Sequence, residues 1–366
     1  MRKVWYRIRT RKKQVTVQTA GGITVGITTK DLAQLCGVSR TTVHRALYGG
    51  GRIHPDTKEM ILRVAREHDY RPDLLARGLV KGRTYYIGVV VMDVKNRYFS
   101  AMLSAISREA ISRGYNINIA LHGNDRELER RQLMNLAAYR MDGIILSSVN
   151  EGDEYREFLD SLGMPIVSVD NRIADGIPFV SIDQRASMKA SVRHALEKPY
   201  ERVVFVCPAM ASGEKENMYV HRERLKGFRE GIGEAAREQK REIETICLLD
   251  WNYLEKVGDL VADGSRTVFV CAADEFALDI MKRLKELGKR CPADYGIIGF
   301  DNIDTLNYVI PRLSTVSNAV DEIAKTAVNR LFERIEAGQE KEGGTEELRE
   351  EEDCILPYEI VEGETL

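Results

Sequence analysis

The chain has 366 residues, 43% apolar and 30% charged, with a formal net charge of −2; this composition suits a globular protein with sizeable cores, and the length predicts two or three domains. No stretch approaches the roughly 18 uninterrupted apolar residues of a membrane span, and the basic start MRKVWYRIRTRKKQ lacks the apolar centre of a secretory signal. Cys36, Cys207, Cys247, Cys271, Cys291 and Cys354 are far apart with no C-x-x-C pair, which argues against a disulfide framework and predicts mostly buried free thiols in a reducing cytoplasm.

The near-neutral total hides an asymmetry. Residues 1–83 carry 18 Lys or Arg against 6 Asp or Glu, whereas the rest carries 36 against 50. A basic head on an acidic body points to a polyanionic partner for the head. Residues 1–26 hold seven basic residues within the first 13 and then TVQTAGGITVG, without helical period, and are expected to be a disordered extension.

From residue 27 the pattern changes. Thr28, with Asp31 three residues on, predicts a capping box for a helix whose apolar face is Leu32, Ala33 and Leu35 and whose end is Gly37. Ser39 caps a second helix, RTTVHRAL, with Val43, Ala46 and Leu47 inward and Arg40, Thr41, His44 and Arg45 outward. His54-Pro55 opens a third, with Ile61, Val64, Ala65 and His68 on its inner face. Two short helices joined by a glycine turn match a helix-turn-helix, in which the start of the second helix enters the major groove. Any small three-helix bundle with ordinary surface arginines is the alternative.

RPDLLARGLVKG follows, a short cationic joint with interspersed leucines. Beyond it, YYIGVVV, INIAL, GIILSS, PIVSVD, FVSID, RVVFVC, TICLLD, TVFVCAA and YGIIGFD alternate with amphipathic helical stretches. The first of these places Phe99, Met102, Ile106 and Ala110 on one face before Gly114. Such alternation predicts parallel sheets covered on both faces, divided into two α/β subdomains with a ligand cleft at the carboxyl ends of their strands.

No catalytic or metal-binding set is present: histidines are scattered, and there is no H-E-x-x-H, P-loop or G-x-S-x-G. The one G-x-G-x-x-A, Gly231 to Ala236, follows a helical stretch and is misplaced for a pyrophosphate. The strand-end loops offer Tyr98, Phe99, Asp170, Asp250, Trp251 and Asp301, with Arg224 on a helix able to face them. Carboxylates, a guanidinium and an aromatic ring suit a sugar or nucleoside. Singly, Asp170 and Asp301 read equally well as loop caps and Trp251 as core.

The motifs TTKDLAQLCGVSRTTVHRAL, PDTKEMILRVAREHDYRP, LLARGL, IGVVVMD, RERLKGF, VFVCAADEFAL and GIIGFDNID…PRLSTV resemble the lactose/galactose-repressor (LacI/GalR) family of transcription regulators, from about Ile27 to ILPYEIV. The resemblance implies an N-terminal all-α helix-turn-helix domain (27–71), a hinge helix (72–83) and a periplasmic-binding-protein-like effector and dimerisation domain (84–366). Within that last domain it implies two subdomains, 84–184 with 316–338 and 185–315 with 354–366. It further implies a homodimeric repressor on a palindromic double-stranded DNA operator, controlled by a small-molecule effector and needing no cofactor.

Residue by residue, the resemblance assigns base contacts to Arg40, Thr41 and Arg45, with Thr28, Ser39, Thr42 and His44 completing the DNA-binding face. Leu79 becomes a minor-groove wedge with Arg77 beside it. The effector set becomes Tyr98, Phe99, Ser147, Asp170, Arg224, Trp251 and Asp301. Departures include Ala273, where sugar-responsive members have asparagine, Arg97 in place of a proline, Asp69 in place of a helix-ending glycine, and Asp73 in place of an asparagine. Residues 338–353 are expected to be a solvated acidic loop before a last strand, CILPYEIV. The alternatives are a periplasmic-type solute-binding protein, which a basic helix-turn-helix argues against, and a sugar-modifying α/β enzyme, which lacks a visible nucleophile.

Overall fold

The computed structural model describes residues 19–20, 23–24, 27–49, 51–71, 82–212, 216–340 and 353–366. The chain forms two compact units, residues 1–84 and 85–366.

In the first unit, β1 (Thr19–Ala20) pairs antiparallel with β2 (Ile23–Thr24), so part of the expected disordered extension forms a minimal ladder; residues 1–18 lie outside the described residues. Helices α1 (Thr29–Cys36), α2 (Arg40–Tyr48) and α3 (Pro55–Glu67) follow. Each boundary has a local cause. The Thr28 backbone N–H donates to Asp31 Oδ2 (2.9 Å) while the Asp31 N–H donates to Thr28 Oγ1 (3.2 Å), a reciprocal capping box. Gly37 ends α1 at φ +65°, in the left-handed region a side chain rarely enters. Ser39 Oγ accepts the Thr42 N–H at 3.1 Å and so caps α2. Asp69 takes the left-handed place after α3 (φ +47°), a conformation aspartate tolerates, and Tyr70 then hydrogen-bonds Thr29 at 2.9 Å. Leu32, Ala33, Val43, Ala46, Ile61 and Ala65 form the core; Leu35, Val64 and His68 are half-buried.

The second unit contains two parallel sheets. One runs in the order β13 (Cys354–Leu356), β7 (Phe179–Ile182), β6 (Ile166–Val169), β5 (Ile144–Leu146), β3 (Tyr86–Val91), β4 (Asn116–Leu121). The other runs β11 (Gly296–Ile298), β10 (Thr267–Cys271), β8 (Arg202–Val206), β9 (Glu244–Leu248). In both, the first strand in sequence lies next to the edge and the second forms that edge, so chain direction across the sheet reverses beside β3 and β8. That reversal opens a crevice at the strands' carboxyl ends.

Helices α4 (Arg97–Ser112), α5 (Arg126–Ala138), α6 (Asp153–Ser161) and α11 (Val320–Glu340) cover the larger sheet, while α7 (Gln184–Ala195), α8 (Tyr219–Gln239), α9 (Tyr253–Lys256) and α10 (Asp274–Glu286) belong to the smaller. Met102, Ile106 and Ala110 of α4 are buried as expected, but Phe99 is only half-buried. A Cβ on Gly227 would lie 2.1 Å from the Arg185 carbonyl oxygen, and one on Gly231 2.8 Å from Val192 Cβ. Gly231 of the G-x-G-x-x-A therefore serves the close approach of α7 and α8.

Several expectations need correction. CILPYEIV is two strands, because β13 joins the larger sheet parallel to β7 while β14 (Glu359–Val361) pairs antiparallel with β12 (Thr315–Ser317). Residues 354–366 are thus shared between the subdomains rather than belonging to the second alone. The acidic segment begins as helix, since α11 runs to Glu340; residues 341–352 lie outside the described residues. All six cysteines are free, but only Cys207 and Cys271 are buried, and Cys247 is exposed. Among the described residues, no helix is long and apolar enough to cross a membrane.

Candidate functional site

Two surfaces carry the residues singled out in the sequence. In the head, Arg40, Thr41, His44 and Arg45 are all exposed on α2. Ser39 and Thr42 are occupied with each other, their hydroxyls 2.8 Å apart, and Thr28 is committed to its capping box. Three side chains are therefore engaged in building the helix-turn-helix, and four are exposed on its outward face, His44 with its ring 4.8 Å from that of Tyr48. The Arg45 guanidinium group lies over Gly51, where a Cβ would be 3.0 Å from Nε. Arg77 and Leu79 lie outside the described residues.

In the body, a cavity of about 610 Å³ opens between the subdomains. Tyr98, Phe99, Ser147, Asp170, Arg224, Trp251 and Asp301 all line it, supplied by two helices, α4 and α8, and by the loops after β5, β6, β9 and β11. Trp251 is not core: it is 63% exposed and meets Phe276 edge-on at 6.3 Å between centroids. Asp250 is exposed and pairs with Lys256 at 3.5 Å, outside the cavity lining.

The two aspartates hold the centre, one from each subdomain. Asp170 sits at φ +61° and Asp301 at φ +114°, strained backbones of the kind that persist at functional sites. Asp170 Oδ1 accepts the Tyr98 hydroxyl, whereas its Oδ2 is buried without a hydrogen-bond partner. Burial lifts the Asp170 carboxyl to about 6, against the pull of Tyr98 and Arg224. Burial also lifts Asp301 to about 7, with Arg224 opposing and Asp170 adding to the rise. Tyr98 is held well above the ordinary phenol range, by burial first and then by Asp170. Carboxylates so perturbed in a cleft make it a candidate functional site.

Arg224 is fixed by residues that the sequence did not single out. Its Nε donates to Gln184 Oε1 at 2.9 Å and its Nη1 to the Ala272 carbonyl. Nη2 lies 3.5 Å from Asp301 Oδ1, and the guanidinium covers the Phe300 ring at 3.6 Å. Asn318 donates to Asp301 Oδ1 at 2.7 Å. Phe300 was findable from its place beside Asp301; Gln184 and Asn318, distant in the chain, carried no such signal.

The loop after β5 is held from behind by fully buried Glu129 of α5. Its carboxylate accepts from Ser148 Oγ (2.7 Å), the Val149 N–H (2.8 Å), Asn150 Nδ2 (2.9 Å) and Tyr155 OH (2.5 Å). Opposite, buried Asp274 accepts from the Ile303 N–H (3.0 Å) and Thr315 Oγ1 (2.6 Å), fixing the turn that bears Asp301. Two two-pronged ion pairs join the subdomains. Arg97 donates to Asp304 at 3.0 and 2.5 Å, and Arg222 to Glu151 at 3.1 and 2.7 Å. Among the described residues no group of side chains could hold a metal ion.

Residues 28–73 match the model for bacterial regulatory proteins of the lacI family, and residues 192–366 match the periplasmic binding protein-like domain. Catabolite control protein A of Priestia megaterium is 27% identical over 312 residues, covering 84% of this chain and 92% of its own. A periplasmic binding protein/LacI transcriptional regulator from Alkaliphilus metalliredigens QYMF, solved with D-xylulofuranose, aligns at TM-score 0.64 and 26% identity over 77% of this chain and 98% of that one. The Lac repressor dimer bound to operator and the anti-inducer ONPF shares the fold at TM-score 0.76 and 21% identity, covering 93% of this chain and 99% of that one. The chain thus joins a lacI-type helix-turn-helix region to a periplasmic-binding-protein-like body, the arrangement of the LacI-type regulators it is similar to.

Proposed function

We propose that this chain is a cytoplasmic transcriptional repressor, not an enzyme, that binds a palindromic DNA operator as a homodimer and responds to a small sugar-like effector held between its subdomains. The observation that carries the proposal is the capped α2 with Arg40, Thr41, His44 and Arg45 exposed on one face, on the same chain as a cleft lined by buried Asp170 and half-buried Asp301. The relatives' regulatory roles and the sugar bound in the Alkaliphilus protein support it. Dimerisation is supported by Tyr308 and Ile310, apolar side chains 86% and 89% exposed on the second subdomain and suited to cover by a second copy.

On this assignment Arg40, Thr41 and Arg45 read base edges, and Ser39, Thr42, His44 and Thr28 support or contact the backbone. The cleft set of Tyr98, Phe99, Ser147, Asp170, Arg224, Trp251 and Asp301 holds the effector. Effector binding shifts the relation of the two subdomains, a coupling of roughly 1–3 kcal/mol in regulators of this kind. A binding-site selection with purified protein, with and without candidate effectors, tests the proposal. A palindromic consensus is expected, and Arg40→Ala should relax one position in each half-site, because an arginine–guanine pair contributes about 1–3 kcal/mol of discrimination. Selection of no consensus would refute the DNA-reading role.

A further inference from the structure

The cleft's charge says what kind of molecule it accepts. Six carboxylates line it, from Asp93, Asp170, Glu216, Glu275, Asp279 and Asp301, against two cations, Lys95 and Arg224. Lys95 is exposed at the rim. Arg224 is already occupied by Gln184, the Ala272 carbonyl, Asp301 and the Phe300 ring. The two lining histidines add no positive charge. His221 is held neutral at about 3 by burial and by Arg224; burial likewise lowers His122, whose Nε2 donates to the Ser147 carbonyl at 3.0 Å. The interior therefore presents no uncommitted cation to a phosphate or carboxylate ligand.

Acceptors, by contrast, are in surplus. Asp170 Oδ2 is buried in the cleft without a donor, and leaving such an oxygen unpaired is costly. The rings of Tyr98, Phe99, Trp251, Tyr253 and Phe276 also line the cavity, and aromatic faces attract cations. Resting on the assignment of this cleft as the effector site, we propose that its ligand class is a small polyhydroxylated primary amine, such as an amino sugar, whose ammonium pairs with Asp170, and that anionic sugars are rejected.

The titration of the cleft agrees with this charge preference. The groups facing Asp170 are Tyr98, Arg224 and Asp301; Asp301 in turn faces Tyr98, Arg224, Asp274, Glu275 and Asn318. Burial raises Asp170 to about 6 and Asp301 to about 7, the response of carboxylates that lack sufficient compensating cations. An ammonium would favour their charged forms, so its binding must weaken as protons compete below pH 6.

The test is calorimetric titration of the full chain at pH 7.5 with glucosamine and galactosamine, their neutral parent sugars, their N-acetyl forms and glucose 6-phosphate. At least one amine should bind about tenfold or more tightly than its parent and N-acetyl form, a preference that added salt should weaken only slightly because the pair with Asp170 is buried. Its affinity should drop severalfold between pH 7.5 and pH 5.5, and about tenfold in Asp170→Asn. Equal or tighter binding of a neutral or phosphorylated sugar, still weakened by Arg224→Met and Phe99→Ala, would overturn the charge preference while leaving the cleft as effector site. Binding indifferent to both of those substitutions would overturn the cleft assignment itself. Absence of binding by either amine would overturn the ligand class.

Discussion

Asp170→Asn should make the unliganded protein more stable, and only above mildly acidic pH. In the folded state burial holds the Asp170 carboxyl at about 6, whereas in an unfolded chain it titrates near 3.9. A carboxyl whose folded value is raised binds more protons folded than unfolded between those values, so its contribution to stability declines as pH rises through that window. About two units, at 1.36 kcal/mol each, gives roughly 2–3 kcal/mol of destabilisation at neutral pH. The asparagine abolishes that charge and keeps an acceptor for the Tyr98 hydroxyl. Its amide N–H₂ replaces an oxygen that already lacks a partner, which returns part of the gain, so the net stabilisation should be about 1–2 kcal/mol. Urea unfolding of both proteins at pH 4, 6 and 8 measures it. The midpoints should converge at pH 4 and separate by pH 8, with the variant higher. A variant no more stable at pH 8, or a gap equally large at pH 4, would refute the account of Asp170 as a charge held at a cost for its ligand.

Glu129→Gln should act in the opposite direction. Four donors converge on the Glu129 carboxylate, and an amide must turn its N–H₂ toward at least one of them, a loss of about 2–4 kcal/mol visible as a lower urea midpoint at pH 7; an unchanged midpoint would show that the loop after β5 does not depend on it. Arg222→Ala removes a part-exposed two-pronged bridge between subdomains, worth up to about 1 kcal/mol. It should raise the open fraction severalfold in a distance-labelled pair across the cleft, more so when combined with Arg97→Ala. A distance distribution identical to wild type in the double variant would remove the bridges from the account of closure.

Much of the fold was legible because its signals are local. The three head helices follow from Thr28, Ser39, Gly37 and Pro55, each acting on backbone within four residues of itself, and every strand from Tyr86 to Ile298 overlaps one of the apolar runs. What escaped depends on partners distant in the chain. TICLL reads as a buried run, yet β9 is an edge strand, so Cys247 is exposed. Pro357 divides CILPYEIV between two sheets, and nothing within that octapeptide states which neighbours its halves will find. The seven cleft residues were nameable individually from their strand-end positions and from family motifs. Their electrostatics were not, because the state of Arg224 is set by Gln184 and Ala272, and that of Asp170 by Tyr98.

The split of residues 354–366 bears on how the protein is made. β13 adds a strand to the larger sheet, β14 pairs with β12, and Thr365 is fully buried where its hydroxyl donates to the Ile297 carbonyl (2.7 Å) and accepts the Ser314 N–H (2.9 Å). Neither half of the body can therefore close its hydrogen-bonding pattern while this stretch is still inside the ribosome. The head, whose described core lies within residues 32–65, is free to fold early in synthesis. A nascent chain would thus carry a finished DNA reader before it possesses a finished sensor, and the two halves of the body would be completed together, in one late step.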